Sequence, residues 1–257
     1  MKISVIKIGG NVIDHPEKLE KFLTEFAKLE GAKILVHGGG KIASGLSKQM
    51  GITPKMVDGR RITDAQTLDI VTMTYAGLLN KKLVAKLQSL GCNALGLSGA
   101  DAGVIHADKR PVKTVDYGFV GDPRDDGVNT SFLATAIKTG VVPVMCAITH
   151  DGEGQLLNTN ADTIASTVAK AMSSVSDVDL VYCFEKKGVL SDPSDDDSVI
   201  ELVNPENYTA YKDKKVITDG MIPKLDNAFE ALEKGVSRVV IRSSNDLLEP
   251  SGTEILA

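Results

Sequence analysis

Two hydrophobic rhythms alternate along the chain. Ile3, Val5, Ile6 and Ile8 make ISVIKI a short apolar run, the pattern of a buried strand. The next segment, PEKLEKFLTEFAKLEG, changes period: Leu19, Phe22, Leu23, Phe26 and Leu29 recur at helical spacing, and Gly31 follows as a stop. AKILVHGGG returns to a continuous apolar run and ends in three glycines, after which KIASGLSKQMG reads as a helix. The opening is therefore strand, Gly turn, helix, strand, Gly turn, helix. That alternation predicts an α/β fold, a parallel sheet with helices on both faces.

The rhythm continues to the end. DAQTLDIVTMTYAGLLNKKLVAKLQSLG predicts one long helix or two joined ones, and CNALGLSG a strand running into a Gly turn. AGVIHADKRPVKTVDYGFVGD has β-rich pieces with polar breaks and predicts a hairpin laid over the main sheet. FLATAIKTG reads as a helix, VVPVMCAIT as a strand, and NADTIASTVAKAM as a helix with Ile164, Val168 and Met172 on one stripe. DLVYCFE, SRVVIRS and GTEIL read as strands. MIPKLDNAFEALEKG reads as a helix and NPENYTAYKDK as a polar helical or irregular stretch.

Composition narrows the function classes. The 257 residues are 42% hydrophobic and 25% charged, with a net charge of −5, so a nucleic-acid surface with its clustered basic face is not expected. Apolar runs are short and broken by Gly or Pro, as in GVVPVMCAI, so no membrane-crossing helix is expected. Cys92, Cys146 and Cys183 are widely spaced and form no CxxC pair, which fits reduced thiols and a cytoplasmic protein. His15, His37, His106 and His150 form no metal-ligand spacing, and no metal site is expected. The acidic DPSDDDS run reads as a hydrated loop. The first strand begins almost at Met1, and no leader is expected ahead of it.

Ligands of open parallel sheets sit beyond the carboxyl ends of the strands. Those ends are glycine-rich here: Gly9-Gly10, Gly38-Gly39-Gly40, Gly96 and Gly99. Such turns let a backbone approach an anion closely. GGGKIA fails the P-loop pattern and is at best a weak dinucleotide motif, because Ala43 stands where glycine is required. Lys7 stands beside Gly9-Gly10 in a strand that should be buried, where an unpaired ammonium is costly, so it is a candidate counter-charge for an anionic ligand. Asn158, Asn160 and Asp162 precede a helix; a cap explains one or two of them but not three. Lys224 lies in the first part of a helix, against its macrodipole, which suits an anion there. In VDGRRIT, Arg60 or Arg61 beside a Gly turn suits bidentate carboxylate binding.

KIGGN, VHGGG, DGRRIT, NTNAD, ITDGMIPK and the terminal GTEIL, in this order and at these separations, resemble the amino acid kinase superfamily and, within it, the acetylglutamate kinases. The resemblance spans Lys7 to Leu256. It implies an αβα sandwich with an open, mostly parallel central sheet. Residues 1–175 would bind the acylglutamate and carry dimerisation, and residues 176–257 would bind ATP. It also implies ATP-dependent phosphorylation of the side-chain carboxylate of an N-acyl-L-glutamate, by default N-acetyl-L-glutamate, in arginine biosynthesis, with Mg²⁺ brought by ATP. Lys7 and Lys224 would stabilise the transferring phosphoryl group and Asp162 would orient both. Gly9, Gly10 and Gly39 would donate N–H bonds to phosphate oxygens, Arg61, Asn158 and Asn160 would hold the substrate, and Gly39-Gly40 would shape the pocket floor. Gly188, Val216, Ile217 and Thr218 would line the nucleotide site.

Two segments depart from the family pattern. YCFEKKGVL replaces the usual SDVxG type, with Phe184-Glu185-Lys186 near the usual aspartate; GLSGADAG has Ala100 and Ala102 where the family has lysine and glycine. The chain also starts at the first strand, without the extra N-terminal helix that builds hexamers, which implies a homodimer without strong arginine feedback. The competing readings are another enzyme of the superfamily, such as a carbamate, glutamate or uridylate kinase, and a non-catalytic ligand sensor. GRRIT and NTNAD argue against the former; Lys7, Asp162 and Lys224 together argue against the latter.

Overall fold

Lys2–Ile8 forms the first strand and pairs in parallel with Asp177–Phe184, from Lys2 opposite Asp177 to Ile8 opposite Cys183. The structure, a computed structural model, describes residues 1–57, 59–192, 194–214, 216–217 and 221–257, the side chain of Pro223 excepted. Contacts divide the chain into two units, Met1–Ile34 with Ala165–Ala257, and Leu35–Ile164. The cuts fall inside the strand Ala32–His37 and inside the helix Ala161–Ser173.

In the first unit, strands lie in the order Leu202–Val203, Thr253–Ile255, Arg238–Ser243, Asp177–Phe184, Lys2–Ile8. All neighbours are parallel except Arg238–Ser243 with Thr253–Ile255. Ile3, Val5, Ile6 and Ile8 are wholly buried, as a strand packed on both faces requires. Pro16–Lys28 is the helix that the Leu/Phe spacing predicts; Pro16 opens it and Phe22, Leu23 and Phe26 face inward. Its C-terminus is held by a cation that sequence periodicity did not reveal. Lys33, only 6% exposed, donates to the carbonyls of Phe26, Ala27 and Leu29 at 2.7, 3.1 and 2.6 Å. The stretch NPENYTAYKDK is a helix, Pro205–Asp213, with Asn204 and Asn207 bonding each other's backbone in a capping box.

In the second unit, Ala32–His37, Val142–Cys146 and Ala94–Leu97 lie side by side and parallel. The expected hairpin pairs Ile105–Lys109 with Gly121–Val128, within a separate four-stranded sheet completed by Ile148–His150 and Leu156–Asn158. The segment VVPVMCAIT, expected as one strand, is two: Val142–Cys146 joins the parallel strands and Ile148–His150 the other sheet. A continuous apolar run carries no sign of such a switch. Asp64 caps the long helix by accepting from the Thr67 N–H at 2.8 Å. That helix runs as Ala65–Thr72, a π-helical turn Met73–Leu79, and Asn80–Ser89. The wider turn brings Tyr75, Leu79 and Asn80 toward the end of the Ala32–His37 strand.

Candidate active site

The carboxyl ends of Lys2–Ile8 and Asp177–Phe184 open into a cavity of about 460 Å³ inside the first unit. Lys7, Gly9, Gly10, Gly188, Val216, Ile217 and Lys224 all line it, so the sequence-marked residues at 7–10 and 188–224 come together. The remaining nucleotide residue, Thr218, lies outside the described residues. Lys7 is only 7% exposed, as its place in a buried strand requires. Its ammonium lies 5.1 Å from the centroid of the Phe184 ring, and that of Lys224 lies 4.5 Å from the same centroid. The two nitrogens are therefore no farther apart than the sum of those distances. Gly10 opens the short helix Gly10–Ile13. Gly9 lines the cavity while its N–H donates to the Cys183 carbonyl at 2.9 Å, continuing the strand pairing.

Other lining residues carried weaker sequence signals. Glu185 accepts from the Asn11 side-chain amide at 2.8 Å and pairs with Lys18 at 3.5 Å. Lys186 and Lys187 pair with Asp196 and Asp197, so the acidic run folds back onto the basic pair before it. Burial pushes the Cys183 and Cys146 thiols up to about 12, which leaves both protonated and poor nucleophiles.

A second cluster forms in the other unit. Arg61, 7% exposed, ends the two-residue strand Arg60–Arg61, paired with Met56–Val57. Its Nη2 donates to the Gly40 carbonyl at 2.8 Å and to Ser44 Oγ at 2.9 Å, while its Nη1 is buried without a hydrogen-bond partner among the described residues. A guanidinium fixed on one nitrogen and unanswered on the other suits a ligand carboxylate. Gly39, at φ 155°, is where only glycine fits: a Cβ would stand 2.2 Å from Leu79 Cδ1 and 3.2 Å from Tyr75 Cδ1. Tyr75 is 5% exposed; burial pushes its hydroxyl above the usual range, partly offset by Arg61.

His37, before the three glycines, is wholly buried and its pKa falls from 6.5 to about 4, chiefly through desolvation. Its Nε2 lies 3.0 Å from the Asn80 side-chain amide and its Nδ1 2.9 Å from the Gly38 carbonyl. A neutral ring with the proton on Nδ1 satisfies both, accepting from Asn80 and donating to Gly38. The same Asn80 amide donates to the Val144 carbonyl at 2.9 Å. Sequence marked only the glycines here; a lone Asn within a helix offered no signal.

Asn158 ends the strand Leu156–Asn158 and donates to Thr63 Oγ1 at 3.0 Å. Asn160 caps the next helix: its Oδ1 accepts from the N–H groups of Asp162 and Thr163 at 2.7 and 3.2 Å. Asp162 lies in the first turn of that helix. Among the described residues, no group of three or more His, Cys, Asp or Glu side chains could hold a metal ion, and no helix is long and apolar enough to cross a membrane.

Residues 2–243 match the model of the amino acid kinase family. The chain is 56% identical over 254 residues to an acetylglutamate kinase of Phocaeicola vulgatus, covering 99% of this chain and 98% of the relative. It is 55% identical to an acetylglutamate kinase of Bacteroides fragilis, covering 99% and 97%. A crystal structure from Streptococcus mutans superposes with a TM-score of 0.79 at 29% identity, covering 99% of this chain and 98% of that one. The chain belongs to the amino acid kinase family and, within it, to the acetylglutamate kinases.

Proposed function

We infer that the protein transfers the γ-phosphoryl group of ATP to the side-chain carboxylate of an N-acyl-L-glutamate, N-acetyl-L-glutamate by default, as a step of arginine biosynthesis. The observation that carries this reading is the meeting of Lys7 and Lys224 over one ring in one cavity. A carboxylate is already ionised and nucleophilic near pH 7, so the reaction needs no general base. It needs alignment of two mutually repelling anions and positive charge on the moving phosphoryl group. The two ammonium groups supply that charge, and each preorganised donor is worth about 3 kcal/mol in barrier height.

In this reading Gly10 offers backbone to the phosphates, and Gly188, Val216 and Ile217 border the nucleotide, with Thr218 assigned by resemblance alone. Arg61 takes a carboxylate of the acceptor on its unanswered Nη1, while Gly39, Gly40, Asn158 and Asn160 line the acceptor site. Asp162 keeps the lysine-orienting role that the resemblance implies. Residues 1–175 serve the acylglutamate and 176–257 serve ATP, with Lys7, Gly9 and Gly10 of the first part also lining the nucleotide cavity. Mg²⁺ enters as part of the substrate MgATP, since the described lining offers several lysines and few carboxylates.

We further propose a cytoplasmic homodimer. Cys92, Cys146 and Cys183 are all buried, and Cys146 and Cys183 carry free thiols, which suits a reducing compartment. Met73, Leu78 and Leu95 are exposed at 49%, 44% and 39%, apolar side chains that a second copy would cover. The function is tested by ADP release with N-acetyl- and N-succinyl-L-glutamate side by side, against carbamate, glutamate and UMP. Turnover confined to the acylglutamates is expected. Turnover with another acceptor, or binding of ATP and acylglutamate without ADP release, refutes it.

A further inference from the structure

Phe184 ends its strand in the wall of the nucleotide cavity, where the sequence departs from the family pattern. We propose that Phe184 is a positioning residue: its ring face holds the Lys7 and Lys224 ammonium groups in place for the transferring phosphoryl group. The proposal rests on the kinase reading above.

The geometry is specific. Both ammonium nitrogens, at 5.1 and 4.5 Å from the ring centroid, lie within the roughly 6 Å over which a cation is attracted by an aromatic face. They arrive from elements far apart in the chain, the first strand and the helix Ile222–Glu233. The ring is itself held. It stacks on Tyr182, two residues back on the same face of the strand, with centroids 6.2 Å apart and planes 9° from parallel. Tyr182 is wholly buried and stands in register with Lys7 on the neighbouring strand. On another side the backbone of Gly9 presses close: a Cβ there would stand 3.3 Å from Phe184 Cδ1.

The chemistry suits the task. Two like charges in one cavity repel, and something must keep them together before phosphate arrives. A carboxylate, the role given to Asp162, can do so but also repels the phosphate, and the ring acts beside it. A neutral π face attracts both cations without adding negative charge, and it takes up none of their N–H donors in a directed bond.

The test replaces Phe184 with leucine and, separately, with mono-, di- and trifluorophenylalanine, which keep the ring while draining its negative face. For Phe184→Leu, kcat should fall about tenfold, with KM for MgATP and for N-acetyl-L-glutamate little changed. Along the fluorinated series kcat should fall stepwise at constant melting temperature, and Phe184→Trp should retain turnover. Independently, the ε-methylene protons of Lys7 and Lys224, assigned through Lys→Arg variants, should show an upfield ring-current shift that Phe184→Leu abolishes. Wild-type kcat in Phe184→Leu, a flat fluorinated series, or ε-proton resonances at free-lysine positions would each overturn the inference. Failure of the kinase reading looks different: the wild-type protein releases no ADP with any acylglutamate while the ring-current shift persists.

Discussion

Arg61 shows how one side chain divides its work. One nitrogen binds Gly40 and Ser44 and fixes the fork; the other, without a partner among the described residues, is the one proposed to take a ligand carboxylate. Arg61→Ala should therefore raise KM for the acylglutamate at least tenfold with a smaller change in kcat, read by steady-state kinetics. Arg61→Lys should recover little, since a single ammonium cannot serve both places. His37 makes a prediction about pH. Its folded pKa is about 4 against an ordinary 6.5, so below pH 6.5 the unfolded chain takes up a proton that the folded chain refuses. Its share of stability is full above pH 6.5 and falls through the window down to about pH 4, amounting to about 3 kcal/mol. Urea unfolding across that window should show a flatter profile for His37→Gln than for the wild type. An unchanged slope would mean that the ring is already charged, or already released, in the folded protein.

At the scale of elements, the Gly38–Gly40 turn and the π-helical turn depend on each other. Gly39→Ala would set a methyl group against Leu79 and Tyr75 and impose an unfavourable φ. We expect kcat/KM for the acylglutamate to drop roughly 10- to 100-fold. Adding Leu79→Ala should restore part of it, the part due to contact rather than to φ; no recovery at all would place the whole cost in the backbone. Lys33 governs a different element. Lys33→Met keeps the stem but removes three bonds to the end of Pro16–Lys28, and should cost about 1–3 kcal/mol in urea unfolding with kcat unchanged. These elements also show what sequence could convey. Pro16–Lys28 was legible because its apolar stripe has one period, and Lys2–Ile8 because burial on both faces leaves an unbroken apolar run. The π turn was not, since one extra residue per turn hardly disturbs the stripe. Nor was the step between Cys146 and Ile148 from one sheet to another, because both halves are apolar. Asn160 was marked as a substrate residue, with capping as the plainer explanation for one or two of its cluster; its bonds to Asp162 and Thr163 are those of a cap.

For the whole molecule, association and catalysis give separate predictions. Sedimentation at micromolar concentration should show a dimer, and Leu78→Glu with Leu95→Glu should yield a monomer that remains folded; a wild-type monomer would contradict the proposed assembly. The lining of the cavity was legible in part. Lys7 and Lys224 stood out because a cation in a buried strand, or at the start of a helix, needs a reason. Phe184 stood out only as part of a departure from the family pattern, because an apolar residue at the end of an apolar strand otherwise reads as core, and only coordinates show two ammonium groups over its ring. The proposed transfer depends most directly on those two charges. The measurement is ADP release with ATP and N-acetyl-L-glutamate, run beside hydroxylamine trapping of the acyl phosphate, for the wild type, Lys7→Ala and Lys224→Ala. The wild type should form ADP and hydroxamate in equal amounts, and each variant should lose about 10²-fold or more in kcat with KM values within a few-fold. Wild-type turnover in either variant, or ADP without hydroxamate, would contradict it.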